Sequence, residues 1–176
     1  HGLPQCCKGD WGNILNRRVA PFEVFRTKAP IGWSIRARSS GILQGSFLFE
    51  LIGELITTKT ATQRENRFEV ARALPPYLME GRRIKQPRII PIGRLAPMPI
   101  NTSSRWREMH LDVGRYANVC HFLKHRLDQT NLVAINVMAD GDMPHVAIFA
   151  ARSIAPWEEL TCNLQGSSKP VAMIAD

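Results

Sequence analysis

Between residues 71 and 107 the chain holds six of its twelve prolines: Pro75, Pro76, Pro87, Pro91, Pro97 and Pro99. Proline fixes φ and removes a backbone donor, so long helices and central strands are excluded from this stretch. The same region is basic. Residues 67–107 carry Arg67, Arg72, Arg82, Arg83, Lys85, Arg88, Arg94, Arg105 and Arg107 against Glu69 and Glu80, a net charge of +7. We read 67–107 as an extended, basic insert between two strand-rich parts. Any regular domain has to be assembled from segments on either side of it.

Those flanking parts alternate in the manner of short strands. Phe22-Glu23-Val24-Phe25 is one. Pro30 and Gly32 end it, and Trp33, Ile35 and Ala37 then alternate with Ser34, Arg36 and Arg38, which predicts a half-buried strand with Trp33 as a core anchor. Ser39-Ser40-Gly41 is a turn. Phe47 to Ile52 reads as a buried strand, and Gly53 as a bulge or close backbone approach. Thr58 is placed to cap a short polar helix reaching Glu65. Beyond the insert, Asn118 to His125 predicts a short helix, Leu132 to Met138 a strand, Asp140-Gly141 a hairpin turn and His145 to Ala150 the returning strand. A last short element starts at Glu158-Glu159-Leu160. There is no internal repeat. Many short strands and little helix predict a mostly-β or α+β domain.

At 176 residues the chain has the size of one domain, and its 44% apolar residues are enough to bury a core. No window of about 18 uninterrupted apolar residues occurs, so no membrane helix is expected. His1 to Asp10 lack a basic start followed by an apolar run, so no signal peptide is expected. The net charge of +8 favours polyanionic partners: nucleic acid, nucleosomes or acidic protein surfaces. Four cysteines (Cys6, Cys7, Cys120, Cys162) are too few for a disulfide scaffold and fit a reducing compartment. His121 and His125 stand four apart, but no carboxylate or cysteine at motif spacing completes a metal set. Cys162 has no base at a known nucleophile spacing.

Three segments, in order, resemble the SET domain of lysine methyltransferases, with the plant SUVH-type chromatin enzymes as the nearest relatives. The first is Phe22-Glu23-Val24-Phe25 leading to Gly32-Trp33-Ser34-Ile35, similar to a strand entering a Gly-Trp-Gly turn. The second, Gly45-Ser46-Phe47-Leu48-Phe49-Glu50-Leu51-Ile52-Gly53-Glu54-Leu55, resembles Gly-Ser-Phe-x-x-Glu-Tyr-x-Gly-Glu-Leu. The third runs from Asn118-Val119 through His125, Asn131-Leu132 and Phe149-Ala150-Ala151 to Glu158-Glu159-Leu160-Thr161, similar to Asn-His-Ser-Cys-x-Pro-Asn-Leu and Glu-Leu-Thr-Tyr-Asp-Tyr.

The resemblance implies a SET fold of several short sheets around a pseudoknot, interrupted by the irregular basic insert. Residues 1–20 would be a remnant of a pre-SET region, 21–66 and 108–166 the two parts of the domain, and 167–176 a tail. It implies S-adenosylmethionine as cofactor, held by Gly32, Trp33, Ser34, Asn66, Lys124 and His125. A histone tail, of histone H3, would be the substrate, with nucleosome or DNA meeting the insert, in the nucleus on the chromosome.

The sequence departs from the family at the chemistry. The second turn glycine is Ser34. The Asn-His pair is Lys124-His125, where lysine offers only donors. The cofactor-stacking tyrosine falls at Asn66. The two tyrosines of the last motif fall at Cys162 and Leu164, the catalytic positions, and Leu164 has no hydroxyl. The family's zinc-binding cysteines fall at Ile14 and Leu127, so no zinc is expected. Three functions follow: a histone-lysine methyltransferase, a catalytically inactive SET relative that binds chromatin or nucleic acid, or a decayed sequence without stable function.

Overall fold

The computed structural model describes residues 20–27, 32–72, 89–95, 104–114, 116–138 and 144–164. Its strands form three small sheets. β1 (Phe22–Arg26) and β2 (Trp33–Ala37) make an antiparallel ribbon with Glu23 opposite Arg36. β3 (Phe47–Leu51), β9 (Pro144–Ala150) and β8 (Leu132–Met138) are antiparallel neighbours. β10 (Thr161–Cys162) and β7 (Lys124–His125) complete that sheet in the order β3-β9-β8-β10-β7. β4 (Glu54–Thr57), β6 (Met109–Asp112) and β5 (Ile89–Pro91) form the third. Mostly strands with little helix is the class the alternation predicts.

The core takes residues from every part. Ile35, Leu48, Ile90, Leu123, Ile148 and Leu160 are fully buried in one cluster. Ile90 belongs to the proline-rich insert, and here the structure differs from an insert that is extended throughout and lies apart from the domain. Ile89 and Ile90 are buried as β5, Ile92 begins α2 (Ile92–Leu95), and Trp106 of α3 (Ser104–Arg107) is buried too. Elements of three and four residues are all that the prolines allow, and Pro91 sits last in an edge strand, where its missing donor is least costly. The apolar pair Ile89-Ile90 nevertheless docks on β6, because burying it outweighs ordering so few residues. Residues 73–88 and 96–103, with five of the six prolines and four of the nine basic residues, lie outside the described residues.

The polar helix α1 (Thr58–Arg72) is longer than the predicted one. Its cap is Thr57, whose Oγ1 accepts from Thr60 N–H at 3.3 Å. Arg64 holds the helix down. It donates to both oxygens of Glu54 (2.8 and 2.9 Å) and to Asp112 (2.6 Å), whose carboxylate is fully buried. Gly53 is the predicted close approach: a Cβ there would lie 2.8 Å from the carbonyl oxygen of Asp112 and 2.9 Å from Leu111 Cγ. Gly53→Ala should cost about 1–3 kcal/mol by forcing β4 off β6, read as a lower denaturant midpoint at unchanged slope.

The predicted helix over Asn118 to His125 is only the 3₁₀ turn Val119–Phe122, capped by Asn118 Oδ1 accepting from Cys120 N–H at 3.1 Å. Lys124 and His125 leave it as β7. β8 and β9 match the predicted strands, and the predicted turn at Asp140-Gly141 lies outside the described residues.

Candidate functional site

The chain closes its two halves on each other through β10. β7 and β8 are consecutive in sequence, yet β10 lies between them, parallel to both, with Thr161 opposite Lys124 and Cys162 opposite His125 and Leu132. The segment 126–131 therefore bridges over the strand that runs between its own ends. Two backbone bonds fix the crossing: Arg126 N–H donates to Cys162 O (3.1 Å) and Asn131 N–H to Thr161 O (3.3 Å). This is the threaded arrangement the resemblance implies.

Asn131 locks it. The residue is 2% exposed. Its Oδ1 accepts from Thr161 N–H at 2.8 Å, and its Nδ2 donates to Glu158 Oε1 and to Glu159 O, each at 2.8 Å. The segment just before β10 meets the ribbon in turn: Ala37 N–H donates to Glu158 O (2.9 Å) and Leu160 N–H to Ile35 O (2.8 Å). Residues 158–162 are thus stitched to β2 on one side and to β7 and β8 on the other.

Side chains complete the junction. Gly32 takes φ +85°, open to glycine at no steric cost. Trp33 is 54% exposed, so the core-anchor reading of it is corrected. Ser34, on the opposite face, is 1% exposed; Glu159 pairs along the edge of β2 opposite Arg36 and turns its carboxylate onto Ser34. Ser34 Oγ donates to Glu159 Oε1 at 2.7 Å. Lys124 Nζ donates to both oxygens of the same carboxylate, at 3.0 and 3.2 Å. Beside them the Arg36 guanidinium lies between the rings of Phe25 (4.8 Å) and Trp157 (4.9 Å) and is paired with Glu23 at 2.7 Å. Arg152 binds Glu158 and holds its carboxyl down at about 2.

His125 Nδ1 accepts from Leu164 N–H at 3.1 Å, which places the ring proton on Nε2. Burial lowers the pKa of His125 from its ordinary 6.5. The unfolded chain then binds the proton more readily than the folded one. The His125 contribution to stability is complete above pH 6.5 and is lost as pH falls through the lower folded value. Thermal midpoints should drop between pH 7.5 and 5.5, with a smaller drop in His125→Asn, if this bond is what titrates.

The structure thus links Ser34 to Lys124 through Glu159, and His125 to Cys162 and Leu164 through β10, while Gly32 and Trp33 adjoin Ser34 along the chain. Asn66 is elsewhere, exposed on α1, which packs on the third sheet. Leu164 is 3% exposed. Cys162 is 1% exposed, and burial pushes its thiol up to about 12, so it is no thiolate nucleophile at neutral pH. His121 is exposed on the 3₁₀ turn while His125 is in a strand, so the two do not share a helix face. Among the described residues no three His, Cys, Asp or Glu are grouped to hold a metal, and Cys6 and Cys7 lie outside them. A cavity of about 120 Å³ lined by Glu50, Ile52, Leu55, Ile92 and His145, and one of about 290 Å³ lined by Asn118, His121 and Phe122, are formed elsewhere. Neither is lined by the turn residues.

Glu159 and Asn131 are the members that sequence reasoning missed. Both stand inside quoted motifs. The available signal was that Ser34 and Lys124 each bring a donor where the motif has Gly and Asn, which calls for an acceptor between them.

The family model of the SET domain matches residues 32–164. The chain is 29% identical over 164 residues to the histone-lysine N-methyltransferase SUV39H2 of Xenopus tropicalis, covering 90% of this chain and 34% of that protein. It is 31% identical over 147 residues to the H3 lysine-9 specific histone-lysine N-methyltransferase SUVH6 of Arabidopsis thaliana, covering 80% of this chain and 18% of that protein. It therefore spans about a third or less of the length of these relatives. Animal and plant relatives are equally similar, so the assignment coarsens from the plant SUVH type to the SET domain family. In fold it is similar to the Neurospora SET domain protein DIM-5, with a TM-score of 0.60 at 19% identity over 93% of this chain and 60% of that one.

Proposed function

Because the chain belongs to the SET domain family, we propose that it is the methyl-transferring part of a histone-lysine methyltransferase. The family uses S-adenosylmethionine. Bound, that cofactor supplies a methyl group on a cationic sulfur, open to in-line attack by a neutral lysine amine. The observation that carries the reading is the junction itself. β10 threads between β7 and β8, and Glu159 just before it joins Ser34 to Lys124. Catalysis of this kind is chiefly alignment of two reactants, and alignment is what a rigid junction supplies.

The residues present fit a cofactor held largely by backbone. Gly32 keeps the turn open at φ +85°, and Asn131 holds the neighbouring strand ends in register. In this reading Gly32, Trp33, Ser34, Lys124 and His125 hold the cofactor, with Asn66 reaching it only if α1 moves. The residues do not fit the hydroxyl arrangement of the family motif, since Cys162 and Leu164 are a buried thiol and a hydrocarbon. Transfer is therefore expected to be slow. Residues 21–66 and 108–166 would act as one SET unit on a histone tail, histone H3 being the one named for the plant relative. The +7 insert would lie against nucleosomal DNA, in the nucleus.

The test is transfer of labelled methyl from S-adenosylmethionine to histone tails. Slow, enzyme-dependent labelling is expected, and none above a heat-killed control would overturn the proposal. Loss of the hydroxyls favours a second reading, a binding module without turnover. That reading requires salt-dependent nucleosome binding in a protein that transfers nothing.

A further inference from the structure

We propose that Lys124, through Glu159, makes this seat prefer the neutral thioether product, S-adenosylhomocysteine, over the cationic methyl donor. The inference rests on the cofactor-seat reading above and concerns which charge state the seat accepts. Both oxygens of Glu159 are taken by the chain itself: Oε1 by Ser34 Oγ (2.7 Å) and Lys124 (3.2 Å), Oε2 by Lys124 (3.0 Å). Ser34 is 1% exposed, so its hydroxyl has no solvent to turn to.

The neighbouring carboxylates are occupied as well. Glu23 is paired with Arg36 (2.7 Å) and faces Arg38 at 3.9 Å, while Glu158 is held by Arg152 and Asn131. A permanent sulfonium entering this seat brings a positive charge beside the Lys124 ammonium and finds each of these carboxylates matched to a cation already. A thioether brings no such charge. At half-buried positions like these, charges a few ångströms apart interact far more strongly than in bulk water. Lys124 acts through Glu159 and is a specificity-determining position, with Glu159 and Ser34 as its positioning partners.

The measurement is calorimetric titration of the full chain with S-adenosylmethionine and, separately, S-adenosylhomocysteine, for wild type, Lys124→Gln and Lys124→Arg. The readout is the ratio of the two dissociation constants, which a general loss of folded protein does not move. Wild type should bind the thioether about tenfold more tightly. Lys124→Gln, which releases Glu159, should shift the ratio about tenfold toward the sulfonium, and Lys124→Arg should leave it in place. A wild type that binds the sulfonium more tightly, or a ratio unmoved by Lys124→Gln while both ligands bind, would overturn the inference alone. Silence of all three proteins toward both ligands would overturn the cofactor-seat reading and this inference with it.

Discussion

Asn131→Ala should destabilise the fold by about 3–5 kcal/mol, among the larger costs a single polar truncation can have. The side chain makes three hydrogen bonds from a position 2% exposed to solvent. Alanine leaves the buried Thr161 N–H and the Glu159 carbonyl without their partner. Each stranded group costs its desolvation, about 1–3 kcal/mol. The Glu158 carboxylate keeps Arg152 and the Ala155 N–H, so its loss is smaller. For a chain of this length the thermal midpoint should fall by about 10 °C. Asn131→Asp should do no better. It keeps an acceptor for Thr161 N–H but sets a second carboxylate against Glu158 Oε1, now 2.8 Å from Nδ2. A midpoint within about 2 °C of wild type for Asn131→Ala would show that the crossing is held by its backbone bonds alone. Hydrogen exchange separates local from global loss: if Asn131 chiefly anchors β10, the Thr161 amide should lose protection before those of β8 and β9.

How much of this was legible in the sequence depends on the range of the interaction. β8 and β9 could be read to within a residue, because two short, nearly continuous apolar runs on either side of Asp140-Gly141 are a local signal. Gly53 was legible for the same reason, a glycine inside an otherwise regular strand pattern. The face of β2 was not. Trp33, Ile35 and Ala37 alternate as an inward face, yet Ser34 is as buried as Ile35, with the carboxylate of Glu159, more than 120 positions away, seated on its hydroxyl. Alternation describes a strand with one buried face and is silent on which segment will cover the other. The insert misled in the opposite way. Proline density correctly excludes long elements, but three buried isoleucines within Ile89–Ile92 suffice to tie its described part to β6. The Ser34–Glu159–Lys124 contact is visible only when substitutions at two distant motifs are considered as a pair.

Leu164→Tyr should raise methyl transfer to histone substrate by on the order of 10²–10³-fold, the usual worth of one well-placed donor in an active site. The motif resemblance puts a tyrosine at this position, where its hydroxyl would orient the attacking amine. The backbone is already held for it: Leu164 N–H is bonded to His125 Nδ1, and residues 161–162 are locked between β7 and β8. What the position lacks is the oxygen. Leu164 is 3% exposed, so the larger ring needs room, and overpacking should cost about 1–3 kcal/mol of stability. Leu164→Phe carries nearly the same bulk without a hydroxyl and serves as the control, losing similar stability with no gain in rate. Cys162 cannot substitute for the missing group, because its thiol, pushed up to about 12 by burial, neither ionises near neutral pH nor meets solvent. A rate unchanged in Leu164→Tyr, with the protein still folded at the assay temperature, would mean that the amine is not approached from residue 164. The motif-to-chain alignment across 158–164 would then have to be abandoned. A gain in Leu164→Phe equal to that in Leu164→Tyr would instead assign the effect to packing of the chain end against His125.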